Sequence, residues 1–116
     1  LTPKIVIVTG GRDYNDFNIV LEALRESGPT LVIEGGAQGA DTLARRAADK
    51  LGIEHLTVWA LWGRGKAAGP SRNRMMLRVA CRLNDNVEVH AFPGGRGTES
   101  MKSIARLSGV TVIEHG

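Results

Sequence analysis

Four short stretches of this 116-residue chain carry residue types suited to holding an anion. They are Gly10-Gly11-Arg12-Asp13, the run EGGAQGAD from Glu34 to Asp41, the segment 63–74, and PGGRGTE from Pro93 to Glu99. Glycine after a strand lets the backbone come close to phosphate oxygens and permits positive φ. The N–H groups opening the next helix then point at the anion, with the helix dipole in support. The candidate ligand-binding positions on this logic are Gly10, Gly11, Gly35, Gly36, Gly39, Pro93, Gly94, Gly95, Arg96 and Gly97, with Gly95 and Gly97 read as close-approach positions. Thr98 is expected to cap the fourth helix or to donate its hydroxyl to a phosphate. Arg12, Arg72 and Arg74 are candidates for further anionic groups.

Three carboxylates lie in or beside these stretches: Glu34, Asp41 and Glu99. Each could supply a carboxylate to a hydroxyl or to a water, which makes Asp41 and Glu99 candidate catalytic groups. Each carboxylate also has a structural reading. Asp41 and Glu99 fall in the first turns of helices, where negative charge complements the dipole. The spacing of EGGAQGAD is not the G-x-G-x-x-G dinucleotide fingerprint, and no stretch matches a Walker A loop. Nicotinamide redox chemistry and ATP hydrolysis are therefore disfavoured, and no cofactor is expected.

The elements that would position these stretches alternate strand and helix. KIVIVT (4–9), LVIE (31–34) and segments near 54–59, 87–92 and 110–114 read as strands. Helices are expected at 15–27, at 40–51 and from Pro70 to about Leu83, with a fourth carrying Met101, Ile104, Ala105 and Ser108 on one face. In the second, Ala40, Leu43, Ala44, Ala47, Ala48 and Leu51 form one stripe, and Gly52 ends the helix. Such alternation predicts an α/β fold, a Rossmann-like three-layer sandwich with a five-stranded parallel sheet, as a single domain over residues 1–116. Ligands in such sheets bind beyond the carboxyl ends of the strands, where all four stretches fall.

Composition narrows the partner. The first 58 residues hold six Lys/Arg against eight Asp/Glu, whereas the remainder holds nine against four. Six cations and no acid occur between Arg64 and Arg82, which points to an anionic partner on one side of the molecule. Helical spacing puts Arg74, Arg78 and Arg82 on one face and Arg72 on another. Aromatic residues make up only 4%, a poor supply for stacking several bases in a row. Cys81 has no cysteine to pair with, and His55, His90 and His115 stand apart in the chain, so no metal site is expected. The absence of a signal peptide or a long apolar run makes the expected location cytoplasmic, away from membranes.

The motifs together resemble the SLOG superfamily, which groups DNA-processing protein A with the Lonely Guy phosphoribohydrolases. Gly10-Gly11-Arg12 is similar to its G-S-R turn, and Glu34 to Asp41 to the S-G-x-A-x-G-I-D loop of DNA-processing protein A. Pro70-Ser71-Arg72-Asn73-Arg74 resembles the R-N-R segment, and Pro93 to Thr98 matches the Lonely Guy P-G-G-x-G-T. The arrangement most resembles the YspA, cpYpsA-related branch. The resemblance implies a nucleotide or nucleotide-derived ligand, with phosphate on Gly94 to Thr98 and ribose against Asp41 or Glu34. It also offers two rivals, a nucleoside-monophosphate N-glycosidase and a single-stranded nucleic-acid-binding module. The Lonely Guy motif continues to a glutamate that carries catalysis with an arginine; the resemblance makes Arg74 the candidate catalytic arginine, but the glutamate position is Met101 on an apolar helix stripe. A thioether cannot handle a proton, so Met101 is expected to pack in the core. The chain by itself leaves the oligomeric state open, a homo-oligomer included.

Overall fold

In the computed structural model, which describes residues 2–116, five parallel strands form one sheet with helices on both faces. β1 (Ile5–Thr9) lies at its centre, and the strand order is β3-β2-β1-β4-β5. β2 spans Leu31–Glu34, β3 Glu54–Thr57, β4 Val87–Ala91 and β5 Thr111–Glu114. Every residue of β1 is buried, which explains its unbroken apolar sequence. Val6 and Val8 pack on one face with α1 (Phe17–Ser27) and α2 (Ala40–Leu51). Ile5 and Ile7 pack on the other with α3 (Ala68–Leu83) and α4 (Arg96–Leu107).

Local chemistry sets the element ends. Asp16 caps α1 by accepting a hydrogen bond from the Ile19 N–H at 3.2 Å, so the helix starts after it rather than at 15. Gly52 closes α2 in the left-handed region, as its position in the sequence predicts. α3 begins two residues before Pro70, which keeps the proline in the first turn, where it lacks no needed donor. The N-cap of α4 is Gly95, not Thr98, which is already inside the first turn and buried. Ser108 is not on the buried face of α4 but forms its exposed C-cap. Met101 is fully buried beside Ala105, in the core role expected of it.

β3 stops at Thr57 rather than at 59. The Val58 N–H still reaches the Glu34 carbonyl at 2.8 Å, but Gly35-Gly36 then turns away, leaving residue 59 no strand to pair with. The two residues beyond β3 are thereby released toward the carboxyl edge of the sheet. His90 and His115, remote in sequence, meet in space: His90 Nδ1 and His115 Nε2 lie 2.9 Å apart, and His90 Nε2 is 3.1 Å from Glu88 Oε1.

The chain reverses its direction of travel across the sheet at β1, whose neighbours are β2 on one side and β4 on the other. The loops after β1 and β4 start in contact, the Gly11 N–H donating to the Pro93 carbonyl at 2.8 Å, and then lead to helices on opposite faces of the sheet.

Candidate functional site

The second glycine turn is organised by a buried carboxylate. Asp41, in the first turn of α2, is 7% exposed, and its Oδ2 accepts hydrogen bonds from the N–H groups of Gly35 (3.2 Å) and Ala37 (3.1 Å). Gly36 and Gly39 both hold positive φ in this turn, and a Cβ on Gly39 would strike the Gly11 carbonyl oxygen. The Ala40 N–H donates to that same oxygen at 3.1 Å, so the turns after β1 and β2 are locked together. Glu34, fully buried at the end of β2, accepts from the Gly36 N–H at 2.7 Å and from the Thr57 hydroxyl. Burial pushes the Asp41 carboxyl up to about 6. The Ala37 and Gly35 donors and the Arg72 guanidinium oppose that rise, while Glu34 adds to it.

Arg72 reaches this turn from the start of α3. Its Nη1 donates to the Gly35 carbonyl at 2.6 Å, and its Nε donates to Asn73 Oδ1 at 3.1 Å. Asn73 in turn donates from Nδ2 to the Gly97 carbonyl at 3.3 Å, joining α3 to the first turn of α4. The first backbone bond of α4 runs from the Glu99 N–H to the Gly95 carbonyl. The N–H groups of Arg96, Gly97 and Thr98 thus have no acceptor within the helix.

These parts surround a cavity of about 620 Å³ at the carboxyl edge of the sheet. Of the positions expected from sequence, Gly10, Gly11, Arg12, Gly35, Gly36 and Asp41 line it from the β1 and β2 loops. Arg72 lines it from α3, and Gly95, Arg96, Gly97 and Thr98 from the start of α4. A Cβ on Gly95 or Gly97 would meet no protein atom within 4 Å, so both glycines face open space. Arg12, Arg72 and Arg96 line the cavity and form no salt bridge among the described residues, although the Arg72 guanidinium favours the ionised form of Asp41.

The remaining expected positions lie elsewhere. Gly39 is packed behind the turn, and Pro93 and Gly94 border a shallower cavity on the Tyr14 side. Arg74 is exposed on the flank of α3, with its Nη2 3.4 Å from the Ser71 hydroxyl. Glu99 points to solvent and pairs with Lys102 at 2.5 Å. Of the candidate catalytic trio, only Asp41 is at the cavity. Sequence reasoning missed Asn73, Trp59 and Trp62 as lining residues. Asn73 sits inside the R-N-R segment, between the two arginines that were singled out. The tryptophans could have been found as the large apolar residues of a strand-end loop that has no helical or strand periodicity to bury them.

A buried parallel sheet with glycine turns and unpaired arginines at its carboxyl edge defines a SLOG-type α/β protein. More narrowly, the chain belongs to the YspA, cpYpsA-related SLOG family, whose model matches residues 4–65. That match takes in the first two glycine turns; the PGGRGT loop lies beyond it. The Gene 61 protein of Mycobacterium phage D29 is 34% identical over 126 residues, covering 96% of this chain and 95% of that protein. The fold is also similar to DNA processing protein A from Streptococcus pneumoniae, with a TM-score of 0.57 at 18% identity. That likeness covers 96% of this chain but only 58% of the streptococcal one. Family membership suggests a nucleotide-related function. Among the described residues, no helix is long and apolar enough to cross a membrane.

Proposed function

We propose that the cavity binds a nucleotide or nucleotide-derived ligand, as a sensor, carrier or sequestering protein does. The phosphate lies on the free N–H groups of Arg96, Gly97 and Thr98, and Arg72, Arg12 and Arg96 meet its charge. The ribose falls toward Asp41. The observation that supports this reading is that three arginines free of salt bridges among the described residues and an open helix N-terminus line one cavity. Its volume of about 620 Å³ suits a ligand of that size.

Gly95→Val and Gly97→Val test it directly, because both glycines line the cavity and a Cβ at either would meet no protein atom within 4 Å. Both variants should keep the far-UV spectrum of the parent and lose binding of nucleoside monophosphates in calorimetry. Unchanged affinity in a folded variant removes the phosphate from this loop.

One observation favours a second reading, hydrolysis of the N-glycosidic bond. Asp41 is a cavity carboxyl whose pKa burial raises to about 6, close to the pH at which a general acid or base works. Release of free base from AMP, abolished in Asp41→Asn, would put the enzyme ahead of the binding protein.

A further inference from the structure

The two tryptophans of the chain, Trp59 and Trp62, sit at the mouth of the cavity although 42% of the sequence is apolar and a core was available to them. They are 64% and 54% exposed, the first just past β3 and the second in the short turn Trp62–Arg64. Each rests on a glycine. A Cβ on Gly36 would strike the six-membered ring of Trp59, and one on Gly69 would lie 3.0 Å from the Trp62 ring. Neither indole stacks on another aromatic ring among the described residues. The premature end of β3 is what delivers Trp59 to this edge, because Gly35-Gly36 turns away and opens the space into which its ring folds.

An exposed indole costs solvation free energy that folding ordinarily avoids. Two on one cavity rim, each close to a residue with no side chain and each more than half exposed, supply flat apolar surface to whatever enters the cavity. Beside them Gln38 lines the same cavity and makes no side-chain hydrogen bond among the described residues. Flat surface with a nearby amide is the chemistry that recognises a heteroaromatic ring with polar edges.

We infer that Trp59 and Trp62 form the base subsite of this cavity, and that its ligand is a nucleotide retaining an aromatic base, a purine in preference to a pyrimidine. This rests on the phosphate reading above and restricts it: sugar phosphates without a base are poor ligands. The preference for purines follows from their larger stacking area on an indole. One or two bases stacked on the rim also agree with the low aromatic content, which excludes only a long platform.

The experiment is a comparison of AMP, CMP and ribose 5-phosphate by calorimetry and tryptophan fluorescence, on the parent chain and on Trp59→Ala, Trp62→Ala, Trp59→Phe and Trp62→Phe. With two tryptophans in all, each single variant assigns the signal to the other ring. AMP should quench fluorescence and bind roughly tenfold or more tighter than ribose 5-phosphate, as stacking of one base implies, with CMP between them. The alanine variants should lower AMP affinity to that of ribose 5-phosphate and leave the latter unchanged, and the phenylalanine variants should restore part of it. Equal affinity for AMP and ribose 5-phosphate overturns the base subsite while leaving the phosphate site standing. Loss of ribose 5-phosphate binding in the alanine variants overturns it too, by showing that the indoles only support the loop. A change in sedimentation with AMP binding intact makes the tryptophans a protein-contact surface instead. Failure of all three ligands to bind the parent removes the phosphate reading and this one together.

Discussion

Replacing Asp41 with asparagine should make the protein more stable at neutral pH, although Asp41 is the centre of a hydrogen-bonded turn. The two N–H donors of Gly35 and Ala37 both fall on Oδ2, and an asparagine carbonyl oxygen can take that position. What the substitution removes is a buried negative charge. The Asp41 pKa rises from 3.8 to about 6 on folding because burial disfavours the ionised form. A folded-state pKa above the unfolded one means that the native protein binds the extra proton between those values. The stabilising contribution is complete below about 3.8 and is lost as pH rises through about 6. Roughly two pH units at 1.36 kcal/mol each set the change at about 3 kcal/mol. Urea unfolding of both proteins at intervals from pH 4 to pH 8 checks this. The advantage of Asp41→Asn should grow across that range by about 3 kcal/mol and level off above about pH 7. A difference that stays constant with pH, or that turns in favour of the parent as pH rises, refutes the account of the carboxyl as desolvated.

Further outcomes follow from the same geometry. Arg72→Ala should weaken binding of AMP by tenfold or more, measured by calorimetry, since Arg72 both orders the Gly35 turn and faces the cavity; Arg74→Ala, on the flank of α3, should leave it unchanged. AMP, CMP, GMP and UMP should release little or no free base on chromatography, because the glutamate of the Lonely Guy motif is replaced by a fully buried Met101. Single-stranded oligonucleotides should bind weakly and dissociate near 150 mM salt, a condition of roughly 8 Å screening length, while AMP stays bound; tight binding that persists, and is lost with Arg72 and Arg74 together, would favour a nucleic-acid module. The His115 imidazole should titrate below the ordinary 6.5 by NMR, since burial first and the neighbouring His90 second disfavour its charge; a value above 6.5 would contradict the contact between the two rings.

The alternation of elements was legible because β1, with both faces covered, reads as a continuous apolar run and α2 as a clean stripe. The glycine turns were legible for a related reason: positive φ at Gly36 and Gly39 and the collision that a Cβ would cause leave few other residues usable there. Contacts between remote segments were not. Nothing local in the sequence pairs Arg72 with the Gly35 carbonyl or His90 with His115, and these depend on which strands become neighbours. Arg74 and Glu99 carry the same chemistry as Arg72 and Asp41, and only the rotation of their helices separates solvent from cavity. Trp59 escaped notice because its place follows from the early end of β3, which is set by a turn in another strand.

The position of β1 between β2 and β4 has a consequence for how the protein comes into being. The cavity needs the β1 and β2 loops, which are made early, and the α4 start, which arrives only when Ile5 pairs with Val87. Closing a loop of that length comes at an entropic cost that local pairing does not have. If the cavity binds the proposed nucleotide, a partly folded form lacking β4 lacks part of that site, so occupancy favours the complete molecule. At a ligand concentration 100-fold above Kd, the native state gains about 2.7 kcal/mol over every such form. On that reading, hydrogen exchange should slow in β1 and β4 together when AMP is added.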